Sequence, residues 1–354
     1  MKHIAHITIL AFLLAAPLAH AEQSACSDTP TPVVTLSYAS RYVDDDPSRA
    51  TINPEREAEA ESAIAPVDEF ISSLTSTTQQ MYSGASRSRE AAARCILDRM
   101  AIWARADALS RLETETVQIT ISARYAAFAL ILWQTLPYAY EHPDRAAILA
   151  WLNRRMDEQQ KFWVDAPKGT RMGNLRAWAG LAGSALALQT HNAAMRDWGV
   201  EAITDVICTA NPDGSLPQEM KRGRLALHYQ LHAIAPLVTT AALLERQGVQ
   251  ITGVCDGALG RIVDFAVADL EGGLATERIT GLPQSLFEDA NAPHPYQMAW
   301  IEPYLAIADS PDLASMRERL GTLTYSKLGG DQTALWGQLT PRPYQSPGDE
   351  DRLE

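Results

Sequence analysis

From Pro54 onward the apolar residues recur at spacings of three and four, and this one pattern constrains the chain more than any other. The spacing predicts helices over residues 55–74 (interrupted by Pro66), 88–111, 117–141 and 143–164. Residues 174–191 follow as a small-residue helix rich in Ala, Gly and Leu, and then 192–210, 217–247, 256–270, 295–308 and 313–320. Strand-type alternation is confined to 117–121, where a helix fits equally well. Short Gly, Pro and Asp turns between such helices imply antiparallel neighbours, arranged as a curved stack or toroid. Residues up to Asn53 are Pro-, Asp- and Ser-rich, with an exposed loop expected over 44–53. No linker and no fixed-period repeat divides the chain, so one all-α domain over residues 22–354 is expected.

The first 21 residues form an address. Lys2 is followed by a mainly apolar run over 7–18 and a small-x-small cleavage site at Ala19-His20-Ala21. That run is too short for a membrane span, which needs about 20 residues. Gln23-Ser24-Ala25 before Cys26 lacks the aliphatic residue of a lipidation site. No other segment reads as a span, so a periplasmic or secreted protein without a membrane anchor is expected. Export gives the four cysteines a meaning: Cys26, Cys95, Cys208 and Cys255 have no CxxC spacing, which disfavours zinc and favours two disulfides. Of the three possible pairings, Cys26–Cys95 and Cys208–Cys255 join sequence-local elements.

The 354 residues carry 30 Lys+Arg against 43 Asp+Glu, a formal charge of −13. Loss of Lys2 with the leader lowers the basic count to 29 and the charge to −14. Binding of nucleic acid through bulk positive charge is thereby disfavoured. Within this acidic chain, cationic and hydrogen-bonding residues concentrate in two places. Residues 168–178 hold Lys168, Arg171, Asn174, Arg176 and Trp178, and residues 213–232 hold Glu219, Lys221, Arg222, Arg224, His228, Tyr229 and His232. A local positive cleft on an acidic body suits an anionic substrate.

These segments resemble the alginate lyases of polysaccharide lyase family 5. The matching residues are Asn174 and Trp178, then Asp213 to Pro217, Glu219-Met220, Arg222-Gly223, Ala226 to Tyr229 and Ala235-Pro236-Leu237. Weaker echoes lie at 63–66, 93–95 with Trp103, 300–302 and Leu328-Gly329-Gly330-Asp331. The resemblance implies an incomplete (α/α) toroid with a substrate tunnel, and β-elimination on a 1,4-linked polyuronate.

The residue types suit that chemistry in their own right. Elimination removes the C5 proton beside a carboxylate and expels the 4-oxygen, so the carboxylate must be gripped by donors as charge develops. Arg222 is a fixed cationic fork, Asn174 an amide donor, and Tyr229 a phenol whose pKa, ordinarily about 10, must fall for it to act as base. Seven residues apart on one helix, Arg222 and Tyr229 would lie about 10 Å apart with a sugar carboxylate between them. Trp178, Arg176, His228 and His232 are candidate substrate-binding residues, and Tyr42 a candidate lid residue. The blander alternatives are a core tyrosine at 229, a solvated Arg222 and an N-cap at Asn174.

Two departures from the family pattern bear on substrate. The family histidine after the matching Asn is Leu175 here, and the Asn before it is Gly173. A family lysine near the start of the first helix is also missing, with Glu61 close to its place. β-D-Mannuronate presents its C5 hydrogen and 4-oxygen for syn elimination by one tyrosine, and β-D-glucuronate has the same geometry. Glucuronan is therefore the alternative polymer to alginate. A glycoside hydrolase using Asp213 and Glu219, or a binding protein without activity, are the alternatives of other classes. No metal motif or phosphate loop occurs, so no cofactor is expected, and a monomer is assumed.

Overall fold

In the computed structural model, which describes residues 26–339, the helical period is realised almost everywhere it occurs. The helices are α1 (Pro54–Ser83), α2 (Ser86–Arg105), α3 (Glu115–Thr120), α4 (Ser122–Thr135), α5 (Arg145–Asp165), α6 (Asn174–Thr190) and α7 (Ala193–Ile207). Then come α8 (Pro217–Met220), α9 (Ala226–Glu245), α10 (Val254–Ala268), α11 (Leu274–Thr280), α12 (Ile301–Leu305), α13 (Pro311–Leu320) and α14 (Gln332–Gln338). Two short sheets complete the set: β1 (Thr35–Leu36) pairs in parallel with β2 (Arg111–Leu112), and β3 (Thr324–Tyr325) antiparallel with β4 (Gly330–Asp331). The expected leader over 1–21 lies outside the described residues.

The arrangement is an incomplete (α/α) toroid. Inner helices α1, α4, α6, α9 and α12 follow one another round a ring, and α2, α5, α7 and α10 pack outside them. Inner helices must be apolar on nearly every side, because each touches both ring neighbours and an outer helix. That explains α6, whose Ala-, Gly- and Leu-rich sequence is buried from Arg176 to Ala187, and α9, buried over most of its 20 residues. Between α12 and α1 the ring is bridged by β4 and α14 in place of a helical hairpin.

Several boundaries differ from expectation for local reasons. Pro66 does not interrupt α1: the carbonyl it frees belongs to exposed Ser62, where water can satisfy it. Residues 117–141 form two helices meeting at Ile121, then a 3-10 turn over Leu136–Tyr138. By length and composition this stretch, Glu115–Tyr138, would reach across a membrane, contrary to the sequence expectation. However, 72% of its most apolar window is buried inside the protein, and it serves as an inner wall. The predicted helix over 217–247 breaks into α8, a 3-10 turn at Gly223–Leu225 and α9.

Both disulfides form in the sequence-local pairing, with Cα–Cα distances of 5.5 Å. Cys26–Cys95 ties the amino-terminal segment to α2, and Cys208–Cys255 ties the end of α7 to the start of α10. Closing loops of 69 and 47 residues stabilises the fold by about 4 kcal/mol each on loop entropy. The first bond, the β1–β2 pair and the Trp103 indole donating to the Pro30 carbonyl at 3.1 Å hold the amino-terminal segment along the ring. That path delivers Tyr38 to Tyr42 to the toroid's mouth.

Candidate active site

A cavity of about 380 Å³ opens between α1, α4, α6 and α9, roofed by residues 38–49. Tyr229, Arg222, Asn174, Trp178, His232 and Tyr42 all line it. They arrive from separate stretches of sequence, so the cavity exists only because the ring closes.

Tyr229 lies in the first turn of α9 and is 9% exposed. Its hydroxyl is hydrogen-bonded to that of Tyr42, and Arg41 Nη2 donates to both, at 3.3 Å to Tyr229 and 3.1 Å to Tyr42. Arg222 does not stand two helical turns away with a sugar between. The Gly223–Leu225 turn folds it back so that its guanidinium stacks 3.8 Å over the Tyr229 ring and 4.8 Å over that of Tyr42. Its Nη2 donates to the Arg49 carbonyl at 2.6 Å, while Nη1 has no partner among the described residues. Only the edge of this stack is therefore open to the cavity. Burial pushes the Tyr229 phenol up, as does Tyr42, with the Arg222 charge opposing. Burial also pushes Tyr42 up, but the Arg222 and Arg41 charges and the bond from Tyr229 outweigh it, and its net shift is downward. The two hydroxyls thus form a hydrogen-bonded pair in which the Tyr42 phenol is drawn down and the Tyr229 phenol pushed up.

The loop over 44–53 is exposed, as expected, and its own bonds fix its shape. Asp46 accepts from the backbone N–H groups of Ser48, Ala50 and Thr51 at 2.7–3.0 Å, and Asp44 takes a bidentate pair from Arg56. A bridge between Tyr42 and Ile52 closes its base. These bonds set Tyr42 above Tyr229.

Asn174 is the first residue of α6, so the N-cap is Gly173. Its backbone N–H and side-chain Nδ2 donate to the two oxygens of Glu219 at 2.7 and 3.0 Å, while its Oδ1 is buried without a partner. The amide donor expected to grip substrate is thus engaged by Glu219. Burial raises the Glu219 carboxyl to about 7, with the Asn174 bonds and Arg222 opposing. Gly173 makes room for this: a Cβ there would lie 3.0 Å from Glu219 Oε1. Asp213, the other carboxylate of the hydrolase alternative, is turned onto Ser215, accepting from its N–H at 2.9 Å and its hydroxyl at 2.7 Å. Gly214 between them sits at φ +92°, where a Cβ would strike the Arg261 carbonyl. Asp213 and Glu219 hold separate pieces of backbone and do not form a catalytic pair.

Trp178 is 1% exposed and its indole N–H donates to His232 Nε2 at 3.0 Å. The neutral His232 ring must then carry its proton on Nδ1. Burial, with the Lys327 charge next, holds it well below the ordinary histidine value. His228 falls outside this cavity. It lines a small neighbouring one with His232, Tyr296 and Tyr325, and burial pushes it down to about 4. Arg176 is also not a site residue. Two positions after Asn174 it points to the back of α6, 4% exposed, over the rings of Trp198 at 4.7 Å and Trp163 at 5.6 Å and beside Asp205 at 3.7 Å.

Sequence reasoning missed four cations of the cavity: Arg41, Arg49, Arg124 and Lys327. Two adjoined residues already singled out, Arg41 beside Tyr42 and Lys327 before the Leu328-Gly329-Gly330 echo. Among the described residues no group of three or more His, Cys, Asp or Glu side chains could hold a metal ion.

Comparison with known proteins points the same way. A sequence profile described as alginate lyase matches residues 128–275. An alginate lyase of Azotobacter vinelandii is 28% identical, covering 93% of this chain and 89% of its own length. One of Azotobacter chroococcum mcd 1 is 29% identical, with 89% and 85% covered. Among solved structures, alginate lyase A1-III complexed with tetrasaccharide superposes with a TM-score of 0.72 at 21% identity, over 90% of this chain and 86% of that one. The crystal structure of alginate lyase A1-III from Sphingomonas species A1 gives 0.69 over the same shares.

Proposed function

Because the chain belongs with the alginate lyases of polysaccharide lyase family 5, we propose that it cleaves 1,4-linked poly-β-D-mannuronate by syn β-elimination. The observation that carries the mechanism is the hydroxyl pair of Tyr229 and Tyr42, set in a cavity between two arginines. The reacting uronate lays its carboxylate against the free edge of Arg222, with Arg41 adding positive charge. These cations stabilise the enolate-like state as the C5–H bond weakens. The reacting pair starts with Tyr42 as the phenolate and Tyr229 protonated; Tyr229 passes its proton to Tyr42 and, now a phenolate itself, takes the C5 proton. The C5 electron pair forms the C4–C5 double bond, the bond from C4 to the 4-oxygen breaks, and Tyr229 returns a proton to that oxygen. The proton held on Tyr42 then resets the pair. One face of the sugar suffices, so the chain can dispense with the imidazole that Leu175 replaces.

Glucuronan is the second reading, since β-D-glucuronate has the same arrangement at C4 and C5 and Leu175 and Glu61 both depart from the family pattern. Guluronate, which requires base and acid on opposite faces, fits poorly. We place the protein in the periplasm or outside the cell, a reading that two disulfides support.

The deciding experiment incubates the protein and its Tyr229→Phe variant with poly-mannuronate, poly-guluronate, glucuronan and hyaluronan. A lyase yields the ultraviolet absorbance of an unsaturated uronate, a hydrolase yields reducing ends alone, and a binding protein yields neither. The expected result is absorbance on poly-mannuronate that falls by about 10²–10⁴-fold in the variant. Reducing ends without absorbance, or an unimpaired variant, would sink the proposal.

A further inference from the structure

Away from the tyrosine pair, the same cavity contains a lysine that the mechanism does not use. Lys327 lies in the 3-10 turn Ser326–Leu328 after β3, packed against α1, α4 and α9. Its side chain lines the cavity with Asp68, Arg124, Trp178 and His232. The ion pairs nearby are already made. Asp68 takes both donors of Arg124, at 2.9 and 2.7 Å, and Glu57 lies 3.6 Å from Arg41. Lys327 has neither a hydrogen-bond acceptor nor a carboxylate within ion-pair distance among the described residues. A largely enclosed ammonium without a counter-ion is costly, and a cavity proposed to bind a polyanion supplies one only when occupied.

We propose that Lys327 binds the carboxylate of the uronate adjacent to the one undergoing elimination, so that the cavity grips two consecutive acidic sugars at once. This rests on the lyase reading. Position supports it: His232, which lines the cavity with Lys327, is three residues past Tyr229. That is nearly one helical turn, about 5 Å along the axis, comparable to one sugar unit in an extended chain. Arg222 stacks on the Tyr229 ring and Arg41 donates to its hydroxyl, whereas Lys327 faces Asp68 from α1, Arg124 from α4, and His228 and His232 from α9, with Arg41 beyond.

The surroundings give the interaction a pH signature. Burial pushes the Lys327 ammonium down to about 7, with Arg124 and Arg41 adding to the effect and Asp68 opposing it. A bound carboxylate favours the ammonium, so substrate binding takes up a proton near neutral pH. Above that pH the free protein loses the charge, and binding weakens.

The test is steady-state kinetics of the full chain, Lys327→Met and Lys327→Arg on mannuronate oligomers of increasing length, across pH 6 to 9. Loss of a charged hydrogen bond predicts a KM about 10–100-fold higher in Lys327→Met with kcat within a few-fold. The gain in KM from adding the neighbouring uronate should vanish in that variant. Lys327→Arg, which stays charged throughout, should keep a low KM and abolish the rise in KM that the parent shows above about pH 7. An unchanged KM in Lys327→Met overturns the inference, as does a fall in kcat alone, which would put Lys327 on the reacting carboxylate. If Lys327→Met fails to fold, the arginine variant decides: a KM that rises with pH as the parent's does overturns the inference. A parent silent on every polyuronate removes the lyase reading and this inference together, whereas an active parent indifferent to Lys327 removes this inference alone.

Discussion

Arg222 and Arg176 are the same residue in nearly the same physical setting, yet one faces the chemistry and the other the scaffold. Each lays its guanidinium over two aromatic rings, Arg222 over Tyr229 and Tyr42 and Arg176 over Trp198 and Trp163. Cation–π stacking of this kind holds the group flat and fixed, contributing about 0.5–2 kcal/mol. The difference lies on the side away from the rings. Arg222 leaves an edge open to a cavity and has no acidic partner among the described residues. Arg176 is closed in behind α6, with Asp205 beside it. An aromatic platform therefore prepares an arginine for either use, and helix phase decides which. Asn174 and Trp178, four apart, share the inward face of α6, and Arg176 between them must point outward.

The sharpest way to break this comparison is to truncate both. Arg222→Ala should lower kcat by about 10²–10³-fold, the scale of removing one charge-stabilising donor, with little change in Tm. Arg222→Lys should recover little, because an ammonium cannot reproduce the stacked fork. Arg176→Ala should do the reverse, costing about 1–3 kcal/mol of stability through lost packing with kcat/KM nearly unchanged. Paired kinetics and thermal melts separate the two outcomes. An Arg176→Ala variant that melts normally but turns over slowly would erase the distinction.

Tyr42 sharpens the same contrast from the platform side. Tyr42→Phe keeps the ring beneath Arg222 and removes only the hydroxyl that receives the Tyr229 proton. Its kcat should fall by about 10–100-fold, at the low end of acid–base effects, while KM stays put because the guanidinium remains seated. A rise in KM with normal kcat would instead make Tyr42 a simple cover over the site.

How far the sequence discloses this site follows from how each residue is brought there. The ring helices were legible because burial on an inner wall leaves a strong apolar period, as in α6 and α9. Asn174 and Trp178 share a face for reasons that spacing alone expresses. The Arg222–Tyr229 stack was not legible, since seven residues of assumed helix contain a 3-10 turn that brings the two groups into contact. Arg41 and Lys327 were missed because they come from segments without periodicity, residues 38–49 and the turn at 326–328. Only closure of the ring makes them neighbours of Tyr229 and His232. The bond from the Asn174 amide to Glu219 was hidden for the same reason, the two residues being 45 apart in sequence.

That Asn174–Glu219 contact yields the smallest effect and tests the scaffold side of the comparison. Glu219 is 1% exposed, and its folded pKa of about 7 lies above its ordinary value of 4.5 because of burial. The protonated carboxyl therefore favours the folded state. Its contribution is fully present below about pH 4.5 and is lost as the pH rises through 7. Glu219→Gln has no such charge to bury. Its amide can still accept from the Asn174 N–H, and it can donate to the Asn174 Oδ1 that now lacks a partner. Relative to the parent, the variant should gain a few degrees in Tm between about pH 5 and pH 8. Parallel melting curves across that range would mean that Glu219 ionises in the fold at its ordinary value, without the upward shift that burial imposes.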